Sequence, residues 1–363
     1  MSETALVDSF AGLWSEKLDQ ESPAIPWLWE GYLAPGKVTL LTSLWKAGKS
    51  TLVSILLSKL AEGGMLAGLP VKPGRAIIVS EESVGEWAKR HQTLHFQHSY
   101  FLCRPFRGRK PTLEQWLSLL EYVGRMQREH DMNLLVVDTL TTFLPGLNEA
   151  AAGPMMQALL PLNDLIERDM NVLLNHHPKK GEVAPGQAAR GSGALGSFAD
   201  IVLEMDRCAH PAEEDRRRKL LAFSRSDLTP RQLVIELNRE GTDYITHGTF
   251  QDDEFLQNWD KVKMVLEDAK DWRTRRQILE DWPADFAKPN DITLLRWLGR
   301  AVALSQLLQQ GTGKRNDPFR YALPGQEDVW RQDPLYEFKR KYEEGSRLIQ
   351  DMLAKPLPRP WGK

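Results

Sequence analysis

Between Lys37 and about Arg239 the chain alternates short apolar runs with longer stretches of helical period. The runs are KVTLLTS (37–43), RAIIVS (75–80), NLLVVD (133–138), NVLLNH (171–176), IVLEM (201–205), KLLAFS (219–224) and LVIEL (233–237). Runs that are apolar at odd and even positions alike suit strands covered on both faces, as in a parallel sheet. Residues 51–62, 112–130 and 154–169 read as the helices between them. The pattern predicts an α/β sheet domain whose later, closely spaced strands are antiparallel.

The flanks differ. Residues 1–26 form a polar lead ending in SPAIP, and 240–258 are polar and acidic, the composition of a linker. Helical periods return at 259–270, 273–281 and 291–310, followed by the basic, Gly-containing GTGKRNDPFRYALPG. Three helices and then a hairpin predict a small, mostly α, winged-helix domain. The tail has one helical pattern at about 335–354 and ends in PLPRP. The expected organisation is a lead (1–26), a sheet domain (27–247), a winged-helix-like domain (259–324) and a tail (325–363).

Composition narrows the class. The 363 residues are 42% hydrophobic and 26% charged, which excludes wholesale disorder and fibres. The net charge of −2 gives no global polybasic character, so any nucleic-acid site must be a local patch. The two cysteines, Cys103 and Cys208, exclude a disulfide scaffold and a four-cysteine zinc site. No apolar run approaches the roughly 18 residues of a membrane span, and the acidic N-terminus lacks a secretion pattern. The expectation is a soluble, cytoplasmic protein with no membrane partner.

The segment SLWKAGKS supplies the first chemistry. It matches G-x-x-x-x-G-K-[ST] except that Ser43 takes the first glycine's place. A strand precedes it and an apolar helical pattern follows. Gly48 lets the backbone approach phosphate, and N–H groups at the start of the helix can cradle anionic oxygens. Lys49 can neutralise β/γ charge and Ser50 can hold Mg²⁺. Ser43, Lys46, Ala47 and Thr51 complete the candidate nucleotide-binding set. Lys46 is either a second phosphate contact or a solvated lysine, and the bulky Trp45 departs from the usual loop.

Carboxylates end two of the strands. LLVVD stops at Asp138, a position from which a carboxylate can reach Mg²⁺ directly or through water. Thr139 rather than a glutamate follows, so a general base must come from elsewhere. RAIIVSEES offers Glu81 and Glu82, placed to orient and deprotonate a water.

These pieces, in this order with LLNHHPKKG and ARGSGALGSFADIVLEM, resemble the RecA-like ATPases and, within them, the RepA-like helicase group called AAA_25. The resemblance covers roughly 27–247. It implies an ATP- and Mg²⁺-dependent hydrolase with Glu81 as catalytic base and Glu82 as backup. It implies that a strand-end histidine, His176 before His177, senses γ-phosphate. It places Arg190, in a Gly/Ser-rich segment, near DNA phosphates in a central pore. Arg225, at a late strand end, becomes a candidate finger acting on a neighbouring subunit of a ring, although lysine-containing patterns are commoner there. The basic run Arg216–Lys219 reads as a solvated face.

In the C-terminal module, Arg296 and Arg300 share one helical face, and Lys314, Arg315 and Arg320 lie on the hairpin. Residues 261–324 hold 12 Lys/Arg against 8 Asp/Glu, a local excess suited to phosphate contacts. Winged helices also serve in protein contact. Two functions therefore remain: a ring-forming ATPase acting on DNA as a helicase-like motor, or an ATP-switched regulator that binds DNA or protein without unwinding.

Overall fold

The computed structural model describes residues 14–15, 25–145, 152–177, 193–208 and 215–332, with isolated positions up to 345. Among these the chain forms two compact units, 1–250 and 251–363.

In unit 1, β1 (Val38–Ser43) is buried at every position and runs into α1 (Lys49–Lys59). A hairpin, β2 (Gly64–Leu66) and β3 (Leu69–Val71), precedes β4 (Ala76–Ser80), α2 (Val84–Leu94) and β5 (Ser99–Cys103). Then come α3 (Leu113–His130), β6 (Leu134–Asp138) and the short α4 (Leu140–Phe143). Next are α5 (Ala152–Leu159), α6 (Asn163–Ile166), β7 (Asn171–His176) and α7 (Gly193–Phe198). The unit ends with β8 (Ile201–Arg207), β9 (Arg217–Ser224), β10 (Gln232–Leu237) and β11 (Tyr244–Gly248).

These strands make one nine-stranded sheet in the order β11-β10-β9-β8-β1-β7-β6-β4-β5. The six from β8 to β5 are parallel, and β9 to β11 extend the sheet antiparallel. The all-apolar runs are the parallel strands. Helices cover both faces, which is why LLVVD and NVLLN are buried at every position. On one face Leu52, Ile55 and Leu56 of α1 pack with Trp87 of α2; on the other, Trp116 and Val123 of α3 pack with Leu159 and Leu162. Trp116 is fully buried and its indole N–H donates to Ala158 O at 2.8 Å. Truncating such a side chain costs about 3–5 kcal/mol.

The helix expected at 154–169 is broken. A 3₁₀ turn at Leu160–Leu162 separates α5 from α6, because Pro161 has no N–H to continue the ladder. The stretch read as a linker at 240–258 instead holds β11 and the start of the next helix.

In unit 2 the elements are α8 (Phe250–Glu267), β12 (Arg273–Thr274), α9 (Arg275–Glu280), α10 (Asp291–Ala303), β13 (Leu308–Gln310), β14 (Arg320–Ala322) and α11 (Gln326–Trp330). Thr274 and Gln277 form a capping box for α9, and Asn290 caps α10. The helical period expected through residue 310 ends at Ala303: Ser305 turns left-handed, and the chain enters β13. The three short strands pair antiparallel in the order β12-β14-β13. Their core joins Phe255, Val262 and Leu266 of α8 to Leu294, Trp297 and Leu298 of α10. In the tail, positions 336, 338, 341, 342 and 345 are helical, and Tyr336 stacks on Trp330.

Candidate functional site

Parallel strands bring their C-terminal ends to one edge of the sheet, and the loops there collect side chains far apart in sequence. Ser43 ends β1, and the chain turns through residues 44–48 into α1. Lys46 and Gly48 take up left-handed backbone, with φ 59° and 113°. The backbone conformation at Gly48 calls for glycine, and space is tight as well: a Cβ would lie 3.2 Å from the Tyr244 hydroxyl and 3.3 Å from Met205 Cε.

Lys49 folds back beneath the loop. Its ammonium donates to Ser43 O at 3.2 Å and Ser43 Oγ at 2.9 Å, and stands 3.0 Å from His177 Nδ1. Ser43, the departure from the usual loop, thus supplies an oxygen that parks the lysine. Lys49 is 5% exposed, and burial pushes its pKa down to about 8 against the pull of Asp138 and Glu81. Burial, and then the Lys49 charge, hold His177 below the ordinary imidazole range.

Ser50 Oγ donates to Asp138 Oδ2 at 3.3 Å. Asp138 is 3% exposed; burial raises its pKa, Asn175 and Ser50 lower it, and Glu82 and Glu81 raise it further. A hydroxyl beside a dehydrated carboxylate is an oxygen pair that fits a small divalent cation, whose charge removes the desolvation penalty. Among the described residues no group of three or more His, Cys, Asp or Glu gathers in metal-ligand fashion. A divalent cation held by Ser50 and Asp138 would complete its shell with phosphate and water oxygens, as Mg²⁺ commonly does.

Glu81 and Glu82 point into different surroundings. Ser80 pairs in register with Asp138, and Glu81 N–H donates to Asp138 O at 2.8 Å, so Glu81 stands beside the Asp138–Lys49 centre. The Thr142 hydroxyl donates to Glu81 Oε2, and Arg104 Nε donates to the Glu81 carbonyl at 3.0 Å. Glu82 is instead held by the Arg90 guanidinium through both carboxylate oxygens, with Arg90 over the Trp87 ring.

The remaining candidates separate. His177, not His176, meets Lys49; side chains alternate along an extended chain, so adjacent histidines face opposite ways. Arg218, within the run read as a solvated face, is half-buried and donates to Ala47 O at 2.6 Å, while Arg217 pairs with Asp215 at 3.0 Å. The solvated reading fails because β9 begins at the edge that holds the loop. Arg225 follows the opposite end of β9, where Ser224 pairs with Ile201, and so lies away from its own phosphate loop. Trp45 is exposed, with the Lys46 ammonium 4.3 Å from its ring centroid, and Thr51 sits half-buried in the first turn of α1. Arg190 and Lys179 lie outside the described residues. In unit 2, Arg296 pairs with Glu254 and Arg300 with Asp252 at 2.7 Å, so neither guanidinium is free. Lys314 and Arg315 are exposed in the β13–β14 turn, and Arg320 lies 3.7 Å from Asp317. Thr142, Arg207 and Arg218 were not legible as site residues; only the sheet register brings them to this edge.

A loop with left-handed turns at Lys46 and Gly48, a lysine and a serine at the start of the following helix, and a strand-end aspartate beside that serine define a P-loop nucleotide-binding ATPase domain. In agreement, residues 3–183 match the AAA_25 family, described as an AAA domain. No curated protein matches the sequence. Among solved structures, a KaiC-like protein from the hyperthermophilic archaeon Pyrococcus horikoshii OT3 is similar over 60% of this chain and 93% of its own, with 18% identity and a TM-score of 0.42. No helix among the described residues is long and apolar enough to cross a membrane.

Proposed function

We propose that the protein hydrolyses ATP with Mg²⁺ and couples the cycle to DNA as a ring-forming, helicase-like ATPase. The observation that carries the hydrolytic reading is the convergence of Lys49, Ser50, Asp138 and Glu81 at one sheet edge. In this reading the N–H groups of Gly48 to Thr51 bind the β-phosphate. Lys49 leaves Ser43 and His177 to meet the β/γ oxygens. Ser50 and Asp138 would hold Mg²⁺, which would supply charge neutralisation at the β- and γ-phosphates. Glu81, oriented by the Thr142 hydroxyl, takes a proton from the attacking water. Glu82 is occupied by Arg90, which favours Glu81 as the base. The Lys49–His177 contact supports His177 rather than His176 as the residue that registers a γ-phosphate in this reading. Arg225 lies at the wrong end of its strand for its own site and serves the nucleotide of an adjoining copy, as a ring allows.

The helix, strand, helix, helix, hairpin order of unit 2, with its β12-β14-β13 sheet, supports a winged-helix reading. Lys314, Arg315 and Arg320 then form a basic wing for DNA phosphates. A second reading, an ATP-switched adaptor without unwinding, is favoured by one observation: Arg296 and Arg300 are spent on α8 carboxylates rather than presented to a groove. Steady-state ATPase with and without single-stranded DNA, together with a forked-duplex displacement assay, separates the two. Stimulation with displacement supports the motor. Hydrolysis with neither supports the adaptor, and no hydrolysis removes both.

A further inference from the structure

Phosphate binding needs the loop's N–H groups turned inward, which requires its carbonyls to be held outward. Two of those carbonyls have partners from outside the loop. Arg207 Nη2 donates to Lys46 O at 3.2 Å, and Arg218 Nε donates to Ala47 O at 2.6 Å. The two arginines are cross-strand partners: Arg207, the last residue of β8, pairs in register with Arg218 of β9. Neighbouring positions on one antiparallel ladder thus grip successive carbonyls of the loop.

Arg218 is itself fixed. Its Nη1 donates to Arg217 O at 2.7 Å and Asp215 O at 3.1 Å, so all of its described bonds go to backbone oxygens. The planar fork commits Nε to one direction while Nη1 is anchored in another, which a lysine cannot reproduce. The grip falls on the stretch between the left-handed residues Lys46 and Gly48, where the loop departs from regular backbone. It also falls in a loop whose first glycine is replaced by Ser43.

We propose that Arg207 and Arg218 form a carbonyl clamp that preorganises the phosphate loop, making them positioning residues for nucleotide binding. The proposal rests on the phosphate-loop reading of Ser43–Ser50 and extends it to the ladder that joins the parallel strand β8 to the antiparallel β9. The clamp acts before chemistry. Its loss therefore weakens binding of diphosphate and triphosphate alike, and leaves turnover at saturation nearly intact. A positively charged group merely near the phosphates would instead be replaceable by lysine.

The test uses the full chain and the fluorescent probe mant-ADP, with ATPase kinetics alongside. Arg218→Ala is expected to raise the mant-ADP Kd by about tenfold or more, the scale of losing a hydrogen bond made by a charged donor. KM for ATP should rise in parallel and kcat should stay within about threefold. Arg218→Lys should bind as weakly as Arg218→Ala. Arg207→Ala removes only an exposed bond, so it should fold normally and weaken binding by a few fold; it carries the test if Arg218→Ala fails to fold. Lys49→Ala is the reference for the site itself. If Lys49→Ala loses mant-ADP while both arginine variants bind like wild type, the clamp is overturned and the phosphate loop stands. Full binding by Arg218→Lys also overturns it, in favour of simple charge attraction. If wild type does not bind mant-ADP, or Lys49→Ala binds it equally well, the phosphate-loop reading falls and takes the clamp with it.

Discussion

Nζ of Lys49 stands 3.0 Å from Nδ1 of His177, a contact between side chains 128 positions apart, and burial lowers the pKa of both. With the lysine's pKa near 8, its proton is only loosely held in the free protein. Phosphate oxygens favour the ammonium, so nucleotide binding takes up a proton around and above that pH. Affinity for mant-ADP should therefore fall as pH rises through about 8, by up to tenfold per pH unit. Lys49→Arg, whose charge persists, should show a flat profile. A wild-type Kd that is constant from pH 7 to 9.5 would contradict the placement.

The same residue has a stability signature of the opposite sign. Its folded pKa lies below the unfolded lysine value of roughly 10.4, so between these limits the unfolded chain binds more protons. The Lys49 contribution to stability must then rise with pH from about 8 upward, and below that window the buried charge costs in full. Nucleotide-free Lys49→Ala should accordingly melt at or above the wild-type temperature at pH 7, while hydrolysing no ATP. The lost phosphate contact costs about 1.5–3 kcal/mol in binding and more in the transition state. Turnover near the wild-type rate in Lys49→Ala would remove the phosphate-loop assignment.

Glu81→Gln should bind ATP and hydrolyse it roughly 10²–10⁴-fold more slowly, because the amide keeps the shape and loses the base. Glu82→Gln breaks the bidentate pair with Arg90 and should leave kcat within a few fold. Single-turnover rates on the two variants read the difference directly. A dead Glu82→Gln beside an active Glu81→Gln would reverse the choice, and two active variants would place the base elsewhere.

Much of this geometry was legible because the chemistry sits where continuous apolar runs stop. Ser43, Ser80, Asp138 and His176 are each the last residue of a strand. What sequence could not reach depends on register. Whether His176 or His177 turns to Lys49 follows from the parity of side chains along β7. Arg218 looked solvated because a run of four basic residues carries no mark of the carbonyl it will meet. The helix Val84–Leu94 leaves little mark in the sequence since it buries only Trp87, and β5 leaves little because it is a short edge strand with no fully buried residue. In unit 2, a polar stretch has the composition of a linker because α8 opens on QDDE, of which Asp252 and Glu254 pair with arginines more than forty positions away.

The placement of Arg225 permits a test of assembly. The residue lies beyond the end of β9 remote from the phosphate loop of its own chain, so if it serves catalysis it does so on another copy. Lys49→Ala and Arg225→Ala proteins should each be inactive. Mixed, they should regain part of the wild-type ATPase, through interfaces that combine an intact loop with an intact arginine. Full activity in a protein that sediments as a monomer throughout would refute action between subunits.

The final prediction sets the β13–β14 turn of unit 2, the proposed wing, against the helix α10. Lys314, Arg315 and Arg320 lie on or beside the β13–β14 turn, where Lys314 and Arg315 face solvent. If they contact DNA phosphates, each releases counterions, and log K against log salt carries a slope of about −0.9 per contact. Replacing all three by alanine in the full-length chain should flatten that slope by up to about 2.7. ATPase without DNA should be little changed, since the residues proposed for hydrolysis lie in the other unit. Replacing Arg296 and Arg300 together should leave the slope as in wild type, because their charges already meet Glu254 and Asp252. The cost there falls on stability, at most about 1 kcal/mol per exposed pair. The measurement is a salt titration of a labelled duplex by fluorescence anisotropy, with melting curves on the same preparations. Superimposable titrations for wild type and the wing variant would exclude the wing as a DNA contact. A slope lost only in the Arg296/Arg300 variant would mean that DNA displaces the α8 carboxylates and enters along the helix.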